Sequence, residues 1–269
     1  MTTDTLEKTE SLRTGTDTLC YAGQWILKTD ENSLDNIPDE FATPIHKIRT
    51  KTILNSARVA ERAQRNFDFS KPVLEEDIQT ITEACTTMPT KQQLPYYTLV
   101  ASTDPAFNKA CYDIAVDRTD DSPAGRNPDF DLEYHRNGQV WAPLLLIFLE
   151  NNKEKVLENE DQLELYGDHD EERFAQMHMS IGIASGVAAF TASMLGYKTG
   201  FCACIEYQSL VGLLKTKNTI PEHALQTNGG ALFLGIGHGT EHDRKSVVVN
   251  NKIVYTAETC DKQIDIIHI

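Results

Sequence analysis

APLLLIFLE, residues 142 to 150, runs through consecutive apolar positions before closing on Glu150. A strand with one wet face alternates apolar and polar residues; this stretch does not alternate, as expected of a strand covered on both faces. Working outward, YYTLVA at 96–101 is rich in β-formers and reads as a second strand. ALFL at 231–234 reads as a third, running into a loop. VVV and IVY at 247–249 and 253–255 flank Asn250-Asn251, a pair that tolerates a left-handed turn, so a hairpin is expected there.

Helical patterns lie between these strands. Thr43-Pro44 offers a cap and a first-turn proline, and Ile45, Ile48, Ile53 and Val59 recur at helical spacing through PIHKIRTKTILNSARVAERAQR. LEEDIQTITEAC places Ile78, Ile81 and Ala84 on one face, and Phe107 to Val116 also reads as helix. A long helix is expected from Asp170 to Leu195, stopped by Gly196, and another from Tyr207 to Leu214. Within the long helix, Ile181 to Tyr197 is the most apolar stretch of the chain. Its length is near the lower limit for a membrane span, yet it carries Ser185, Thr191 and Ser193. Gly182 and Gly186 suit close packing on another helix, so the expectation is a buried interface helix and no membrane anchor. Helices and strands mixed along one chain indicate an α/β or α+β domain. Residues 43–269 form that domain, preceded by a polar arm at 1–42. The polar, proline-broken stretch Asp117 to Gln139 is expected to be a long irregular loop or lid.

The chain has 269 residues and a net charge of −15. An acidic balance argues against a nucleic-acid surface, since phosphates demand a basic patch. The six cysteines are scattered, with only Cys202 and Cys204 close together. That usage suits reduced thiols in a cytoplasmic protein. The start, MTTDTLEKTESLRTG, has no apolar signal core. His238, Glu241 and His242 stand in the order H-x-x-E-H, which one class of zinc peptidase uses on a helix. Here Gly235, Gly237 and Gly239 crowd the first histidine, and each glycine costs a helix about 1 kcal/mol relative to alanine. The segment is therefore expected to be a loop, and no metal site is expected.

Four segments, in order, resemble the FMN-dependent nitroreductase family. Glu61-Arg62-Ala63-Gln64-Arg65-Asn66-Phe67 is similar to its R-R-S-x-R-x-F. Met88-Pro89-Thr90-Lys91-Gln92-Gln93-Leu94-Pro95-Tyr96 is similar to its P-S-x-x-N-x-Q-P-W loop. Ala189 to Cys204 is similar to a helix ending A-x-x-L-G and the loop after it; Gly235 to Lys245 is similar to a late strand and the basic loop that follows. The resemblance implies an α+β, three-layer sandwich with a central mixed sheet flanked by helices, and a homodimer with flavin sites at its interface. It implies FMN as cofactor and NAD(P)H as co-substrate. It implies ping-pong reduction of a small electrophilic acceptor such as a nitroaromatic, quinone or enone. No catalytic acid is named. The cofactor-binding residues it points to are Arg62, Ala63, Arg65, Thr90, Lys91, Gln92, Gln93, Phe201, Cys202, Ala203, Cys204, Arg244 and Lys245. A dianionic phosphate wants guanidinium donors, which Arg62, Arg65 and Arg244 supply. The chain departs from the pattern at Glu61, at Ala63 and in a second segment one residue short. Those departures leave a second expectation, a dimer of the same fold that has lost FMN and serves as a non-catalytic interaction protein.

Overall fold

The computed structural model describes residues 44–61, 63–115, 137–156, 170–217, 220–225, 231–240, 246–249, 252–255 and 267. The expected arm at 1–42, most of the expected lid, Arg62, Arg244 and Lys245 lie outside them. Contacts divide the chain into two compact units, Met1–Asn55 and Ser56–Ile269. Helix α1 (Pro44–Ala60) carries the chain from the first into the second. The helical pattern runs on to Arg65 in sequence, but the helix stops at Ala60. The last helical bond is Glu61 N to Ala57 O, and the backbone of Ala63 then bridges Thr199.

In the second unit a four-stranded sheet has the order β1-β2-β4-β3, from β1 (Tyr97–Ser102), β2 (Leu144–Glu150), β3 (Lys198–Cys202) and β4 (Ala231–Gly237). Every neighbouring pair of these strands is antiparallel. Among the described residues the sheet is thus antiparallel and not the mixed sheet expected; one isolated parallel bridge joins Ala63, outside the strands, to Thr199. All seven residues of β2 are buried, which accounts for its unbroken apolar run. Strand β4 extends three residues beyond the expected Leu234, taking in Gly235 and Gly237.

Helices cover both faces. Leu144, Leu146, Phe148, Leu234 and Ile236 join one core with Ile81 and Cys85 of α2 (Glu75–Thr86) and Ala184, Ala188 and Ala192 of α5 (Asp170–Met194). The alternate residues Leu145, Ile147, Leu149 and Phe233 join a second core with Phe107 and Cys111 of α3 (Pro105–Asp113) and Leu210 and Leu214 of α6 (Tyr207–Lys215). Each buried leucine, isoleucine or phenylalanine among them contributes about 1.5–3 kcal/mol. The short helix α4 (Lys153–Val156) follows β2. The result is the expected α+β arrangement of helix, sheet and helix layers.

Local chemistry fixes the helix ends. Pro105 opens α3 behind Asp104, whose side chain accepts from Ala106 N at 2.9 Å. Glu206 caps α6 by accepting from Gln208 N and Ser209 N. Helix α5 ends before Gly196, whose φ of +94° favours glycine. Its alanines 184, 188 and 192 are the small residues that face the core, while Gly182 and Gly186 are exposed with nothing near their Cβ positions. The pair expected to pack on another helix is thus bare among the described residues. Among the described residues, Arg173–Met194 is the one helix long and apolar enough to cross a membrane by length and composition, and half of that window is buried. Strands β5 (Ser246–Val249) and β6 (Lys252–Tyr255) form the expected hairpin.

Candidate functional site

The site is built on three glycines that share one face of the β3 and β4 strands. Gly200 and Gly235 are register partners, and Gly237 lies two residues along β4. A Cβ on Gly200 would stand 2.3 Å from the Gln64 carbonyl oxygen, and one on Gly235 would stand 1.9 Å from that of Gln139. On Gly237 it would meet Pro143 at 2.7 Å and Phe67 at 3.2 Å. The missing side chains let two backbone segments, 63–68 and 137–143, lie directly on the sheet.

Hydrogen bonds hold the first of these segments along its length. Gln64 N donates to Thr199 O at 2.8 Å, and Asp68 N donates to His238 O at 2.8 Å. Phe67 bridges Gly239, and Asn66 Nδ2 donates to Thr240 Oγ1 at 2.6 Å. The buried Gln64 amide turns back to Asn66 O and Oδ1. Asp68 is anchored by Ser70 and Lys71; the Ser70 hydroxyl bond and the lysine beside it hold its carboxyl down at about 2. The first and fourth segments of the sequence reading therefore meet, although about 170 positions separate them in the chain.

Arg65 lies half-buried in this junction, and its Nη1 donates to Asn137 Oδ1 at 3.5 Å. Gly138 packs so closely that a Cβ there would stand 2.3 Å from Arg65 O. Among the described residues, Asn137 Nδ2, on the amide that meets Arg65, is buried with no hydrogen-bond partner, as are Gln139 Oε1 and Thr199 Oγ1 elsewhere in the junction. Buried polar groups are normally paired, so the Arg65 guanidinium with the spare Asn137 donor beside it suits a polar, anionic ligand. Sequence reasoning missed Asn137, Gln139 and Thr199; Gly200 and Gly235, which face Gln139, were a signal for that residue. Asn137, Gly138 and Gln139 belong to this buried junction and not to a lid, because Gly138 and Gly235 admit their backbone so closely.

The remaining expected residues divide. Ala63 is in the junction, through its bridge to Thr199. Phe201 and Cys202 complete β3, and Ala203 and Cys204 are exposed just beyond it. Strands rise about 3.3 Å per residue, so Cys202 sits about 10 Å along β3 from Thr199. Thr90, Lys91, Gln92 and Gln93 form a turn of their own. Thr90 Oγ1 donates to Leu94 O, and Gln92 and Gln93 have positive φ angles of 53° and 60°. That turn leads into β1, which β2 and β4 separate from β3, so the structure does not gather it with Arg65. His238 follows β4 as loop, its ring 5.0 Å from that of Tyr197, and no metal-ligating cluster occurs among the described residues.

No family model matches the sequence, and no curated protein matches it either. Solved structures do match. An oxidoreductase called hypothetical, YcnD from Bacillus subtilis, is 20% identical over 71% of this chain and 67% of its own, with a TM-score of 0.50. NfrA1 of B. megaterium is 19% identical over 79% of this chain and 75% of its own, also at 0.50. A nitroreductase-like protein from Streptococcus mutans is 14% identical over 73% of this chain and 93% of its own, again at 0.50. The chain has the nitroreductase fold.

Proposed function

We propose that this chain is an FMN-dependent oxidoreductase that uses NAD(P)H to reduce a small electrophilic acceptor. One observation carries the proposal. Segment 63–68, which bears Arg65, is pinned to the end of β4 whose continuation bears Arg244 and Lys245. In an acidic chain, a half-buried arginine beside a segment that runs on in sequence to Arg244 and Lys245 suits a phosphate. The half-buried guanidinium and the spare Asn137 donor beside it fit the group chemically. Arg65, with Arg62, Arg244 and Lys245, would hold the phosphate, and the end of β3 from Phe201 to Cys204 would lie toward the ring.

When bound, FMN supplies hydride transfer, first from NAD(P)H and then to an acceptor such as a nitroaromatic, quinone or enone. The chain contributes binding, orientation and exclusion of water. Its own second copy is the expected partner. Met179, Ile183 and Met194 of α5 are 57%, 41% and 47% exposed beside Gly182 and Gly186, an apolar strip that a symmetric dimer would cover. Buried thiols at Cys85 and Cys111 accord with a cytoplasmic setting.

A visible spectrum of the purified protein, repeated after adding FMN and removing the excess, tests this reading. Retained flavin bands that bleach with NADH or NADPH support it. A colourless protein that keeps no added FMN favours the non-catalytic dimer, for which Glu61, exposed at the end of α1, is the motivating departure.

A further inference from the structure

Cys202 and Cys204 form a local pair to whose thiols the flavin reading gives no chemical role, only a place near the ring. Cys202 is the last residue of β3 and is buried; Cys204 is exposed two residues on. The backbone N–H of Cys204 donates to Cys202 Sγ, with nitrogen and sulfur 3.4 Å apart. Since N–Cα is about 1.46 Å, that sulfur lies within about 4.9 Å of Cys204 Cα. The segment is braced on both sides. Phe201 and Cys202 pair with Leu234 and Phe233, Ile205 bridges Ala115, and Glu206 N donates to Ile114 O. The closeness of the two cysteines is therefore built into the frame. The other described cysteines are different: burial pushes the thiols of Cys85 and Cys111 up to about 11 and about 12, where they are inert.

We propose that Cys202 and Cys204 are a redox-active dithiol that exchanges with small disulfides. Exposed Cys204 attacks first. Its thiolate displaces one thiolate from a low-molecular-weight disulfide and leaves a mixed disulfide on Cys204. Cys202 then attacks Cys204 Sγ, expels the second small thiolate and closes the 202–204 bridge. The protein loses two electrons and two protons, and the small disulfide becomes two thiols. The N–H of Cys204 stabilises the Cys202 thiolate needed for the second step. A bridge across one intervening residue closes a tight ring, so it should be readily reduced, as a catalytic or sensing disulfide is.

The test uses the full-length protein, native and with oxidised glutathione as probe, followed by mass spectrometry of tryptic peptide 199–215. That peptide contains no other cysteine. The expected product is the peptide lighter by two hydrogens, with no lasting adduct and full recovery after mild dithiothreitol. Cys202→Ser should instead trap glutathione on Cys204, and Cys204→Ser should protect position 202. A stable adduct on Cys204 of the unaltered protein, without the internal bridge, overturns the proposal; so does a Cys204 that fails to react. The chemistry needs no flavin, so the result stands apart from FMN retention.

Discussion

Gly200 and Gly235 face each other across β3 and β4, and each has a backbone carbonyl from outside the sheet where its side chain would be, Gln64 O on one and Gln139 O on the other. This pairing connects the fold to the site, because Gln64 precedes Arg65. Gly235→Ala would force a methyl into the Gln139 carbonyl and should cost about 3 kcal/mol or more. Gly200→Ala should displace the Arg65 segment and weaken FMN binding beyond its effect on stability. Gly212→Ala in α6 is the control. Nothing lies within 4 Å of its Cβ position, so it should leave stability unchanged or raise it by up to about 1 kcal/mol. Urea unfolding of the three variants, with FMN binding alongside, checks this.

Tyr197 ties the start of β3 to α2. Its hydroxyl donates to Asp77 Oδ2 at 2.6 Å and accepts from Leu74 N at 3.2 Å. Tyr197→Phe keeps the buried ring but strands both partners, and a hydrogen bond to a charged group contributes about 1.5–3 kcal/mol. Denaturant midpoints should fall accordingly, with the slope unchanged.

Much of this architecture was legible in the sequence because its signals are local. The unbroken run at 144–150 and the glycine closing α5 each act within a few residues of the element they define, whereas α3, read from Phe107, in fact opens two residues earlier behind Asp104. The helix at α1 misled by four or five residues: its pattern continues to Arg65, but Thr199 captures the backbone of Ala63 and Gln64. Tertiary pairing of that kind leaves no local trace. The junction around Arg65 was half legible. The basic positions were visible, while Asn137, Gln139 and Thr199 are ordinary polar residues whose importance comes from what the paired glycines let near them. The turn at Thr90–Gln93 matched a sequence pattern, yet the chain threads it into the far edge strand.

Glu150 gives a pH dependence with a definite sign. It is buried at the end of β2, and burial raises its pKa above the ordinary 4.5, partly opposed by Arg173, whose Nη1 is 3.6 Å away, and by His178. A carboxyl with a raised folded pKa holds its proton longer in the native state than in the unfolded one. Its contribution is therefore fully present below about 4.5 and is lost as pH rises above that value toward the folded pKa. Glu150→Gln should flatten the decline of stability over that window, as measured by thermal unfolding at a series of pH values.

The exposed strip on α5 gives a test of assembly. Met179→Glu and Ile183→Glu place charge on positions 57% and 41% exposed in the single chain, so the monomer should tolerate them. In a dimer the same charges would be buried without partners and should drive dissociation. Sedimentation should show a dimer for the unaltered protein and a monomer for the double variant.

Equilibrium binding of FMN beside riboflavin shows whether the Arg65 junction receives a flavin phosphate. The protein should bind FMN more tightly than riboflavin, which lacks the phosphate, and Arg65→Ala should remove most of the difference. Losing a charge-assisted bond of about 1.5–3 kcal/mol corresponds to roughly 10- to 100-fold in affinity. Equal affinity for the two ligands, or an Arg65→Ala protein that still favours FMN as strongly as before, would contradict phosphate binding at that junction.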